Sequence, residues 1–110
     1  MCAIDPGQLI HPDTVIAMVE GGIIFGLNAS LYGRISFADG IPQEGNFDRY
    51  RQARLWQVPE VEVHLLPQGN RPEGVGETAV PGVAPAVANA LYAATGKRIR
   101  SLPLGERIDI

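Results

Sequence analysis

The sequence predicts an α+β fold in which two main helices pack on a small mixed or antiparallel sheet. Three observations predict it. Two apolar stretches, Pro12–Tyr32 and Val83–Thr95, each carry proline near the start and glycine just past the end, the punctuation of a helix. Between them Val61–Leu66 alternates apolar and polar residues, the period of a half-covered strand. Thirteen glycines and nine prolines make up a fifth of the 110 residues, a turn-rich composition. The length suits a single domain spanning residues 1–110 around one core.

Met1–Ile4 is apolar and stops at Asp5-Pro6-Gly7, a turn signal. A strand beginning at the first methionine reads as a chain that enters in mid-fold. His11-Pro12-Asp13-Thr14 then opens the first helix. Pro12 suits a position where no amide hydrogen is needed, and Asp13 suits the positive end of the helix dipole. His11 is read as a helix cap. Inside the helix, Gly22 and Gly26 lie four apart on one face, so another backbone is expected to pass close by. Glu20 interrupts the apolar sequence and is expected to pair with an arginine, because a buried charge needs a partner. Arg34–Phe37, the Ala38-Asp39-Gly40 turn and a return strand within Ile41–Phe47 read as a hairpin. In the later strand, Val61, Val63 and Leu65 share one face, and His64 sits on the outer one. A glycine- and proline-rich loop, Pro67–Pro81, leads to the second helix, with Pro85 in its first turn and Gly96 at its end. Six alanines on several faces of that helix imply close neighbours nearly all round.

Composition excludes several functions. The net charge is −3, against the basic face of a nucleic-acid binder. Arginines cluster at Arg49–Arg54 and basic residues at Lys97–Arg100, both read as solvated or interface segments. The stretch MCAIDPG lacks the basic and apolar regions of a secretion signal, and the longest apolar run, Val15–Leu31, is broken by Glu20, Gly21, Gly22, Gly26 and Asn28, so neither a signal nor a membrane span is expected. The one cysteine, Cys2, forms no internal disulfide or cysteine-based metal site and fits a reducing, cytoplasmic compartment. Two lone histidines make no metal centre. Ser30, Ser36 and Ser101 lack a nucleophile-elbow context, and neither phosphate-binding glycine motif is present.

The most suggestive segment is Gly74-Val75-Gly76-Glu77-Thr78. Glycines let a backbone approach a ligand closely, and a carboxylate presented there can act as a general base. The plain alternative is that Glu77 caps the second helix or pairs with an arginine.

Together the stretches CAID at the start, PDTV at 12–15, VEGGIIFGL at 19–27, NFDRYR at 46–51, PEVEVHLLP at 59–67, GVGE at 74–77 and APAVANALYAATGKRIRSLPL at 84–104 resemble the C-terminal end of the molybdopterin-binding large subunit of the molybdenum hydroxylases, in the flavour of isoquinoline 1-oxidoreductase. The resemblance implies a fragment of the molybdopterin-binding domain. It implies that Glu77 is the general base, with Gly74, Val75, Gly76 and Met18 on the cofactor side. It implies hydroxylation of an electron-poor carbon of an aldehyde or N-heterocycle with oxygen from water, and electrons leaving through iron–sulfur clusters. The partners implied are the missing part of the subunit and an iron–sulfur subunit. The isolated chain is expected to hold no cofactor and to form homo-oligomers. Met18 stands where many members carry glutamine, and a thioether cannot replace that amide's hydrogen bonds. The alternative is a non-catalytic, self-associating domain or truncated relic of such an enzyme.

Overall fold

A computed structural model of the chain describes residues 1–69 and 71–107. Its elements run, in chain order, β1 (Cys2–Ile4), α1 (Pro12–Tyr32), β2 (Phe37–Ala38), β3 (Ile41–Pro42), β4 (Val63–Leu65) and α2 (Val80–Thr95), with 3-10 turns at Leu55–Gln57 and Leu104–Glu106. The α+β class is as read from the sequence. The strands form two separate ladders: β1 pairs with β4 in parallel, Cys2 opposite Val63 and Ile4 opposite Leu65, while β2 and β3 form an antiparallel hairpin.

The first helix has the predicted ends. His11 is its cap, with Nδ1 accepting from the Thr14 backbone N–H at 3.2 Å. This satisfies one of the helix's orphan amide donors. His11→Ala is expected to cost about 0.5–2 kcal/mol, visible as a lower thermal midpoint; an unchanged midpoint would mean that water serves the same donor equally well. The hairpin turn also forms where the sequence places it. Asp39 and Gly40 both have positive φ, 50° and 77°, the backbone of a two-residue turn matched to strand twist. The strands beside it are two residues each, shorter than the alternation suggested, because no second sheet covers Phe37 or Ile41, both well exposed.

Behind the hairpin, Glu44 accepts from the Ser36 backbone N–H at 2.6 Å and from its hydroxyl. The backbone N–H of Ser36, then its hydroxyl, hold the Glu44 carboxyl below the ordinary carboxylate value. The folded state therefore binds this proton less readily than the unfolded chain. The stabilisation is present above the ordinary value and is lost as pH falls through the folded one. The Ser36 amide resonance is expected to titrate with a midpoint below that of a free glutamate; a midpoint at or above the free value would mean the contact does not form.

The second helix corrects the sequence reading. It begins at Val80, not Val83, with Pro81 in its first turn, so Pro85 lies inside it rather than at its start. It ends as expected at Gly96, in the left-handed conformation. Close neighbours all round are not found: Ala86, Ala90, Ala93 and Ala94 are exposed, and Val83 is the helix's one buried residue. Among the described elements α1 is the one that packs closely against this helix.

The core follows from that packing. Leu27, Leu31, Tyr32, Val83 and Leu104 form one cluster; Ile4, Val19 and Val75 form another, and Ile23 packs against both. Gly22 and Gly26 make the close approach possible. A Cβ on Gly26 would stand 2.9 Å from both the Val80 carbonyl oxygen and Val83 Cγ2, nearer than real side chains come. By length and composition alone α1 is long and apolar enough to cross a bilayer, a test that a core helix meets equally, and within this chain it is the helix that joins both clusters. Among the described residues eight apolar side chains are buried, while thirteen large ones are exposed. The radius of gyration is 16.4 Å, against about 13 Å for a compact domain near this size, so much apolar surface stays open to water.

Candidate active site

An open cavity of about 570 Å³ lies on the outer side of the α1–α2 crossing, lined by Met18, Gly21, Gly22, Phe25, Gly76, Glu77, Val80 and Pro81. Its size falls within the range of small-molecule sites. Met18, Gly22 and Phe25 are spaced four and three apart, a single stripe of α1. The loop that carries Glu77 forms the opposite wall.

That loop is pinned from several directions. Val75 is buried with Ile4 and Val19. The Glu73 backbone N–H donates to the Pro6 carbonyl at 3.1 Å. Thr78 Oγ1 donates to the Gly74 carbonyl at 3.1 Å, and the Val80 N–H donates to the Glu77 carbonyl at 3.0 Å. The Glu77 backbone thus helps start α2, while its side chain is left exposed at the cavity. No ion pair engages that carboxylate among the described residues, so the arginine-pairing alternative for Glu77 is not what forms.

Of the residues singled out in the sequence, Glu77, Gly76 and Met18 meet in this cavity. Met18 Cε lies 3.4 Å from where a Gly76 Cβ would stand. Gly74 and Val75 are not part of the lining: Val75 is a core residue, and Gly74 serves the loop's own hydrogen bonding. Glu20 is half-buried on the same helix but makes no ion pair among the described residues. The expected arginine partner is absent because Glu20 retains enough exposure for water to solvate it. His64 is exposed, 2.9 Å from Glu62, as a surface strand residue. Sequence reasoning missed Gly21, Phe25, Val80 and Pro81. For Gly21 and Phe25 the available signal was helical spacing from Met18; Val80 and Pro81, on the second helix, carried none.

The cavity's fit to a cofactor can be tested on its walls. Around Gly21 no atom lies within 4 Å of where a Cβ would stand, so a flat group has room against the backbone there. No arginine, lysine or histidine is among the lining residues, and no group of three metal-binding side chains exists among the described residues. Among these glycines only Gly21 is open, since Gly22 faces the Gly76 carbonyl and Gly76 faces Met18, so the lining offers a group one apolar wall and no cationic hold.

No family model matches the sequence. The chain is 41% identical over 103 residues to isoquinoline 1-oxidoreductase subunit beta of Brevundimonas diminuta, covering 94% of this chain and 13% of that protein. It is 33% identical over 101 residues to a protein of Gluconacetobacter polyoxogenes named membrane-bound aldehyde dehydrogenase (pyrroloquinoline-quinone), covering 92% and 13%. It is 31% identical over 106 residues to the aldehyde oxidoreductase molybdenum-binding subunit of Escherichia coli K12, covering 89% and 14%. Among solved structures it superimposes on quinoline 2-oxidoreductase from Pseudomonas putida 86 with a TM-score of 0.79 at 25% identity, covering 96% of this chain and 15% of that one. The chain therefore spans about an eighth of the length of the curated relatives it matches. Over nearly all of its own length, the chain is homologous to one segment of the large subunits of molybdenum hydroxylases.

Proposed function

We propose that this chain supplies one wall of a molybdenum hydroxylase active site, with Glu77 as general base and residues 1–110 forming the C-terminal part of the molybdopterin-binding domain. The observation that carries the reading is an exposed carboxylate, free of ion pairs among the described residues, lining a largely apolar cavity beside Met18 and Phe25. A carboxylate already held by arginine is a poor base; Glu77 is free to accept a proton at either oxygen, a role worth about 10²–10⁴ in rate. The reaction proposed is hydroxylation of an electron-poor carbon of an aldehyde or N-heterocycle, with oxygen from water. The apolar walls at Phe25, Met18 and Pro81 suit a flat substrate. When bound by the rest of the subunit, the molybdenum cofactor supplies the redox chemistry. Partners in this reading are the remainder of the large subunit and an iron–sulfur subunit.

The test is recovery of the tagged chain from its host with molybdenum and iron measured in the eluate. A large partner and both metals are expected. A partner with bound quinone and no molybdenum would overturn the molybdenum assignment. The chain recovered only with itself, metal-free, would favour the second reading, a self-associating module without chemistry. The thirteen exposed large apolar side chains support self-association of the isolated chain; a dimer mass at micromolar concentration is expected, and a monomer mass would count against it.

A further inference from the structure

Away from the Glu77 cavity, Phe47–Arg54 curls around a pocket of about 280 Å³ lined by Arg49, Arg51, Arg54, Tyr50, Gln52, Phe47 and Asp48. Three guanidiniums in six residues are unusual in a chain of net charge −3. None of the three forms an ion pair among the described residues; the two ion pairs there are Arg34–Glu106 and His64–Glu62. One acidic residue, Asp48, shares the pocket, leaving it net positive.

The segment is held in place. The Ala53 N–H donates to Asn28 Oδ1 of α1 at 2.6 Å. The Arg51 guanidinium lies over the Tyr32 ring, 4.1 Å from its centroid. Gln57 Nε2 donates to the Tyr32 hydroxyl at 2.9 Å, and its Oε1 accepts from the Arg54 N–H at 2.9 Å. Directly after Arg54, Leu55 and Trp56 are 88% and 83% exposed. A tethered segment that sends large apolar side chains into water gains nothing from them within this chain.

We propose that residues 47–56 are a docking strap for a separate protein chain whose face carries carboxylates around an apolar side chain. Charge complementarity selects the occupant: unpaired guanidiniums form forked hydrogen bonds with carboxylates. Arginine and tryptophan are the residues that dominate subunit contacts. Contacts between chains are enriched in arginine and aromatic residues and carry their polar groups at the rim, which is the make-up of residues 47–56. Nucleic acid fits poorly, since Asp48 sits among three arginines and the whole chain is acidic. This inference is independent of Glu77 and of any bound cofactor.

The probe is a short synthetic peptide in which aspartates flank a central phenylalanine, titrated against the chain by NMR. Binding is expected to shift the resonances of residues 47–56 and to weaken with added salt. The double substitution Arg49→Ala and Arg54→Ala, which leaves Arg51 on Tyr32, is expected to weaken it about tenfold. Trp56→Ala is expected to weaken it with the salt dependence intact. Each variant's unchanged amide spectrum outside the strap shows that it is folded. The proposal is overturned if the asparagine version of the peptide binds as tightly, if the double variant binds as well as the parent, if a single-stranded oligonucleotide binds more tightly than the peptide, or if the strap resonances instead follow the chain's own concentration, which would assign the face to a second copy.

Discussion

Glu77→Gln in the assembled enzyme is expected to lower turnover about 10²–10⁴-fold while leaving the fold and the metal content intact. Glutamine keeps the size and shape of the side chain and removes only its ability to take a proton at oxygen. Because Glu77 is exposed and its carboxylate makes no ion pair among the described residues, the substitution takes no packing energy with it, and a surface change of this kind shifts stability by no more than about 0.5 kcal/mol. The backbone bond from Val80 N–H to the residue 77 carbonyl is untouched. Turnover within a few-fold of the parent, at unchanged molybdenum content, would show that some other group accepts the proton. Lost metal together with lost turnover would show instead that Glu77 holds the site together.

The second large effect is on folding. Gly26→Val is expected to unfold the chain at temperatures where Gly21→Ala leaves it folded. At Gly26 the first added carbon already meets the Val80 carbonyl oxygen and the Val83 side chain at 2.9 Å. Val80 and Val83 belong to the opening turns of α2, so that helix must move, and with it the crossing that buries Leu27 and Val83. Overpacking of this kind costs about 1–3 kcal/mol per site, and a β-branched side chain sits at the upper end. At Gly21 the space is open, so alanine there should stabilise the helix by up to about 1 kcal/mol. Thermal melts of the two variants decide the matter. Equal midpoints would mean that the helix crossing relaxes freely and is not set by backbone contact.

Much of this architecture was legible because it is written locally. Proline and aspartate at the start of α1, the Asp39-Gly40 turn and Gly96 each act on their own few residues. The start of α2 was misplaced because Val80-Pro81 reads as the end of a loop, yet proline is equally at home in a helix's first turn. The partner of β1 was not legible at all: parallel pairing requires a distant segment, and nothing in Cys2–Ile4 names Val63–Leu65. At the site, Glu77 and Gly76 stood out as a carboxylate on a glycine loop, and the family resemblance gave that carboxylate a role. Phe25 did not stand out, since a phenylalanine inside an apolar helix reads as core. It is in fact 67% exposed, and only the placement of Gly76, Glu77, Val80 and Pro81 across the helix from it reveals a cavity wall.

The β1–β4 ladder also sets an order of events. Cys2 faces Val63 and Ile4 faces Leu65, so each rung closes a loop that contains all of α1 and the hairpin. Such distant contacts form late, because the entropy of closing the loop is lost before the contact returns anything. At synthesis rates of about 5–20 residues per second, the first strand spends seconds without its neighbour. Through that interval α1 and the hairpin, whose contacts are local, can already take shape. β1 is then the last of these elements to find its place, and its apolar side chains stay uncovered until β4 has been made.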